Sequence, residues 1–333
     1  MRAAAIDRFG PPSVITVHTL PIPQPGPREI LIALCAAGVG SWDESIRDGS
    51  WRSAGRSKFP RVLGTDGAGT VVAKGPRVRR FRVGDRAYAY DADNPNGGFY
   101  AEYITVDERK AARVPQRLDF LQAGAGAVTG LTALQGVDGA LRVRRGETVL
   151  IFGASGAVGT LAVQFAKRHG ARVLATASGR RATALVRRLG ADAVIDARGP
   201  DLPERLRALA PDGLDAVLAL AGGEELERCL DFLRDGGRIG HPNGIEPEPT
   251  QRRKFRIRGY DAVAGPREFA QLARAIVRAK LSVPIAAVYP LASAAAAHRR
   301  LHDHVIGRIV LRVRWTRAEP VANAVRCQQL TRS

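Results

Sequence analysis

The sequence predicts an α/β protein of two domains, and three observations carry that expectation. The first third is dense in glycine, proline and short β-type runs. From about residue 120, strand-like and helix-like segments alternate. A glycine triplet then sits between one such strand and its helix, as a doubly wound parallel sheet requires at a nucleotide site. At 333 residues the chain is long enough to bury two compact cores.

Segments 29–35, 69–73 and 100–106 are short, rich in β-formers and bounded by glycine or proline, so they read as strands of a compact N-terminal domain. Further on, 148–152 reads as a strand, 157–169 as a helix and 171–176 as the next strand. The same alternation continues through 180–189, 193–195, 214–220, 224–233 and 237–240. Strands separated by helices pair in parallel, and a parallel sheet is covered on both faces. After Pro266 come an amphipathic helix over 269–279, a strand at 287–289, an alanine-rich helix and a last strand at 308–313.

The hydrophobic share of 45% and charged share of 25% are those of a soluble globular chain. No apolar run approaches the roughly 18 residues that a membrane span needs, so membrane insertion is not expected. Residues 1–12 carry Asp7 and a Gly-Pro-Pro break and do not read as a secretory signal, which makes the cytoplasm the expected compartment. Cys35, Cys229 and Cys327 lie far apart, with no Cys-x-x-Cys pair, and support neither a disulfide framework nor a cysteine-rich zinc lobe. The net charge of +19 is spread along the chain. Dense basic blocks occur only at 251–258 and in the tail from Arg312, with few aromatics between them, so nucleic acid is not the expected partner.

The strongest local signal is Phe152-Gly-Ala-Ser-Gly-Ala-Val-Gly159. Gly153, Gly156 and Gly159 permit a tight turn, close approach of the backbone to a pyrophosphate and close packing of helix on strand. Ala154, Ser155, Ala157 and Val158 complete the loop, and the helix N-terminus supplies free N–H donors. After the next strand, where an NAD site presents an acidic residue, the chain reads Ser178-Gly-Arg-Arg181. Ser178, Arg180 and Arg181 suit a 2′-phosphate, so NADPH is the expected cofactor.

These features resemble the medium-chain dehydrogenase/reductase superfamily, and within it the zinc-free quinone oxidoreductases, the zeta-crystallin-like branch. The resemblance covers residues 1–313. Its motifs here are Gly38-Val-Gly-Ser-Trp-Asp-Glu-Ser-Ile-Arg-Asp-Gly49, Phe59-Pro-Arg-Val-Leu-Gly-Thr-Asp-Gly-Ala-Gly-Thr-Val71, Val83-Gly-Asp-Arg86, Gly97-Gly-Phe-Tyr-Ala-Glu-Tyr103, the glycine loop, Leu189-Gly-Ala-Asp192 and Gly307-Arg-Ile-Val-Leu311. It implies a GroES-like catalytic domain over 1–120, completed by 262–315, around a Rossmann NADPH-binding domain over 121–261. Residues 316–333 are left as a basic tail with the character of a disordered segment. The resemblance further implies that Thr129, Gly156 to Val158, Leu220, Ala221, Pro242 and Asn243 line the cofactor, and that the chain forms a homodimer. A strand near 253–260, carrying Phe255, Ile257 and Tyr260, is the expected joining edge.

In the zinc branch, a cysteine and a histidine–glutamate pair stand at the positions held here by Gly40, Thr65 and Asp66. No metal is therefore expected. His298, His302 and His304 have ligand-like spacing but lack a completing glutamate and read as structural or surface residues. Ser41, Trp42 and Trp51 are the candidate substrate wall, because indole faces suit flat rings and the serine can donate a hydrogen bond. Asp43 and Arg47, four apart, are expected to pair on a helical turn. No general acid stands out. The expected activity is hydride transfer from NADPH to a small quinone or α,β-unsaturated carbonyl, and the alternative is a low-turnover NADPH-binding protein with nucleic-acid affinity.

Overall fold

The computed structural model describes residues 1–51, 58–95 and 97–313. The basic tail 316–333 and Cys327 lie outside the described residues.

Six strands form one parallel sheet in the spatial order Ala193–Ile195, Arg172–Thr176, Thr148–Phe152, Leu214–Ala219, Leu233–Pro242, Arg256–Tyr260. Chain order reverses between Thr148–Phe152 and Leu214–Ala219, so their carboxyl ends diverge and open a crevice, the usual ligand position in doubly wound sheets. Thr148–Phe152 is buried at every position after its first, as a central parallel strand must be. Helices including Ala157–Arg168 and Arg180–Arg188 cover the sheet.

A seven-stranded sheet is built around Glu29–Val39, which pairs antiparallel with Asp66–Lys74, Tyr103–Asp107 and Arg308–Arg312. Ile285–Pro290 pairs in parallel with Arg308–Arg312, so strands from both chain ends share this sheet. A small sheet of Ile15–Thr19, Arg2–Ile6 and Arg61–Val62 packs nearby. The helix Phe120–Leu134 lies between the two sheets, and its start is fixed by Asp119, whose side chain accepts from Gln122 N at 2.7 Å in a capping box.

The edge strand Arg256–Tyr260 departs from expectation in its facing. Phe255 is buried in the core, and Tyr260 donates to the Thr132 carbonyl at 2.9 Å. Both aromatic rings that were expected to expose the edge serve the interior instead, because each gains more contact area inward. On the strand itself Ile257 and Tyr260 are half-buried and Arg256, Arg258 and Gly259 are exposed.

Among the three histidines, His298 is fully buried, stacked edge-on against Tyr100 at 5.8 Å. Its ring nitrogens lie 3.3 Å from Tyr100 Oη and 3.2 Å from Arg47 Nη1. Burial, and then the Arg47 charge, pull its pKa down from 6.5 to about 3. The folded state thus keeps His298 neutral while the unfolded chain protonates it below pH 6.5. Its contribution to stability is therefore present above that pH and declines by roughly 1.4 kcal/mol per pH unit as pH falls toward 3. His298→Gln should remove that slope. Urea unfolding of both proteins at pH 7.5 and 5.0 checks it, and an unchanged gap between them would sink the assignment.

Candidate active site

The crevice of the parallel sheet opens into a cleft of about 480 Å³ between the two domains, a volume suited to a small ligand. One wall carries Thr129, Gly153, Gly156, Ala157, Val158, Gly159, Leu220, Pro242 and Asn243 from the parallel-sheet side. The opposite wall carries Val39, Gly40, Ser41, Trp42, Thr65 and Arg308. The structure thus brings together most of the residues singled out from the sequence. Ala154 and Ser155 lie buried beneath the loop, whereas Ala221 is exposed; none of the three lines the cleft.

The glycine loop owes its shape to two positions. Gly153 sits at φ +82°, a conformation L side chains rarely adopt, and its N–H donates to Thr176 Oγ1 at 2.8 Å. At Gly159 a Cβ would come within 2.3 Å of the Gly153 carbonyl oxygen, so only glycine lets the helix Ala157–Arg168 press on the loop. Gly156 caps that helix without a side-chain bond, leaving first-turn N–H groups to face an anion. The loop is also anchored from the far end of the chain, since Gly307 N donates to Ser155 O at 2.9 Å and Gly307 bridges to Gly156.

At the next strand end, Arg180 and Arg181 are exposed in the first turn of Arg180–Arg188. Ser178 donates to Asp196 Oδ1 at 2.8 Å. A carboxylate therefore does stand beside the segment, delivered by the neighbouring strand. It escaped the sequence reading because Asp196 is 18 residues away and adjacent only through parallel pairing.

Two expectations, one about the substrate wall and one about a helical ion pair, need correction. Trp51 does not line the cleft; it lines a second cavity with Pro60, Arg61 and Asp91, and meets the cleft wall through Trp42, at 5.5 Å between ring centroids, and through its backbone N–H, which donates to the Ser45 carbonyl at 3.0 Å. Asp43 and Arg47 do not pair. Asp43 turns to the helix start, where Gly40 N donates to its Oδ2 at 2.9 Å, while Arg47 bonds the Gly10 carbonyl, Glu44 and His298. The capping site holds the acid more firmly than an i,i+4 ion pair could. Burial above all, reinforced by the Asp66 charge and opposed by Arg308 and the neighbouring Tyr100 hydroxyl, pushes the Asp43 carboxyl up to about 6.

Sequence reading passed over Arg308, although its motif was visible. The strand Arg308–Arg312 runs antiparallel to Glu29–Val39 with Ile309 opposite Val39, so Arg308 arrives beside Gly40. Its guanidinium lies across the backbone there. A Cβ on Gly38 would meet Nη2 at 2.7 Å, and one on Gly40 would meet Nη1 at 2.4 Å. Nη2 donates to the fully buried Asp66 at 3.0 Å, and Asp66 also accepts from Val128 N at 3.1 Å. Burial raises the Asp66 carboxyl, against the lowering effect of Arg308. The residues present do not fit a zinc ion. A fixed cation already fills the space above Gly40, and its carboxylate partner is engaged. Among the described residues no group of three His, Cys, Asp or Glu is placed to hold a metal.

A doubly wound sheet that offers a glycine loop to a cleft, closed from the other side by a strand-rich domain, is an arrangement suited to a nicotinamide-dependent oxidoreductase. Residues 26–116 match the alcohol dehydrogenase GroES-like domain, and residues 157–276 match the zinc-binding dehydrogenase family. The chain is 32% identical over 310 residues to the quinone oxidoreductase of Sus scrofa, covering 90% of this chain and 93% of that protein. It superposes on the Escherichia coli quinone oxidoreductase complexed with NADPH with a TM-score of 0.84 at 25% identity, covering 94% of this chain and 100% of that one. An NAD-dependent alcohol dehydrogenase matches with a TM-score of 0.86 at 34% identity, covering 94% and 100%. The chain belongs to the medium-chain dehydrogenase/reductase superfamily, in its quinone oxidoreductase branch.

Proposed function

We propose that the protein is an NADPH-dependent reductase that transfers a hydride to a quinone or α,β-unsaturated carbonyl without zinc. The observation that carries this reading is the cleft itself, which sets the glycine loop opposite an indole and a guanidinium, with the usual metal-ligand positions held by Gly40, Thr65 and Asp66. NADPH, when bound, supplies the hydride. The chain supplies the rest. Gly153, Gly156 and Gly159 with the helix start bind the pyrophosphate, and Thr129, Leu220, Pro242 and Asn243 line the approach to the opposite wall. Trp42 presents a flat apolar face, half-buried against Gly244, that orients a conjugated ring and excludes water. Ser41 stands exposed at the cleft as a donor. The final proton comes from water.

The expected result is NADPH oxidation on addition of a small quinone, at a rate unchanged by chelator, with no stoichiometric zinc in the purified protein. Zinc lost together with activity, or no reaction with any quinone or enone, would overturn the reading. A homodimer belongs to the same proposal, supported by the place of Arg256–Tyr260 at the end of the parallel sheet, with no strand beyond it among the described residues, and read by sedimentation.

A further inference from the structure

We propose that Arg308 is the residue that binds the substrate's carbonyl oxygen, a fixed guanidinium doing at this site what a metal does in the zinc branch. The proposal rests on the reductase reading above and adds to it the group that receives the developing negative charge.

Four observations converge on this side chain. It is 8% exposed, yet it lines the cleft. Among the described residues its Nε has no hydrogen-bond partner, so the protein does not saturate the guanidinium's donors. Guanidinium carries five N–H donors, and the one at Nη2 that bonds Asp66 fixes the plane while leaving the Nη1 edge above Gly40. Finally, the preceding residue, Gly307, is tied to Ser155 and Gly156, so the guanidinium and the cofactor loop are held at one separation by backbone bonds. Such preorganisation is what a donor needs to favour a transition state over a ground state.

Gly38 and Gly40 belong to the same device. Gly38 stands near the end of the strand Glu29–Val39 and Gly40 just past it, and any side chain at either position would collide with the guanidinium. The nearby charges are Asp66, which orients Arg308, and Asp43, whose carboxyl burial pushes up to about 6 against the lowering effect of Arg308. In the step served, the substrate carbon conjugated with the carbonyl accepts a hydride and is reduced, and the nicotinamide is oxidised. The displaced π pair ends on the carbonyl oxygen facing Arg308. Water then delivers one proton to complete the neutral product.

Two variants test this. Arg308→Lys keeps the charge but not the planar fork, and Arg308→Met combined with Asp66→Leu replaces the pair by apolar residues of similar volume. Both should bind NADPH within about twofold of wild type, while kcat with a quinone falls about tenfold in the first and at least a hundredfold in the second. A readout independent of turnover is p-nitrophenol absorbance in the cofactor-free protein. Wild type should bind the phenolate form and lower the pKa of the bound phenol, and the double variant should abolish that shift. Unchanged kcat and an unchanged phenol shift in a folded double variant would overturn the assignment. A wild type that reduces no quinone or enone yet shows the Arg308-dependent phenol shift would overturn the reductase reading alone.

Discussion

Asp66→Leu should destabilise the protein by about 3–5 kcal/mol, the largest stability change expected of any single site in the cleft. The reason is the partner left behind. Arg308 is held between Gly38, Gly40 and Asp66, 8% exposed, and cannot turn to water without dragging the strand Arg308–Arg312 from its place beside Glu29–Val39. Losing Asp66 therefore strands a buried cation, and the Val128 N–H loses its acceptor as well. Adding Arg308→Met should restore most of the loss, because removing both charges also removes the desolvation cost that the pair carries. Equilibrium urea unfolding of wild type, both single variants and the double variant closes the cycle. A single Asp66→Leu variant within about 1 kcal/mol of wild type would mean that Arg308 reaches solvent and that the pair does not define the cleft floor.

The second large effect concerns cofactor choice. Arg180→Ala or Arg181→Ala should weaken NADPH binding about ten- to a hundredfold, and the double variant beyond a hundredfold, with NADH barely affected. Both side chains are exposed in the first turn of the helix that follows the strand Arg172–Thr176, where, on the NADPH reading, a phosphate would meet charge-assisted donors and a favourable helix terminus. Asp196 makes the experiment discriminating, because its carboxylate bonds Ser178 within the same segment and would repel a phosphate that came close. Dissociation constants of both cofactors for wild type, the arginine variants and Asp196→Asn decide the matter. A wild type that favours NADH, with the preference reversed by Asp196→Asn, would assign the ribose to the carboxylate and defeat the NADPH reading.

Much of this protein was legible in one dimension. The strand and helix alternation from residue 120 and the glycine loop are local patterns. Periodicity of burial, left-handed turn positions and helix caps act over a few residues, so they leave their mark on contiguous sequence. The family likeness was legible for the same reason, through short motifs in order. What the sequence could not disclose were contacts made by folding. Arg308 lies 242 residues from Asp66 and meets it only because an antiparallel register sets Ile309 opposite Val39. Asp196 reaches Ser178 through parallel pairing, and Trp51 turns into a neighbouring cavity. Asp43 forsakes Arg47 for the Gly40 amide. The sequence by itself determined the strand and helix alternation, the glycine loop and which residues stand at positions 40, 65 and 66; the tertiary structure alone decided what surrounds them, because partners for buried charges are chosen by register and enclosure and not by distance along the chain.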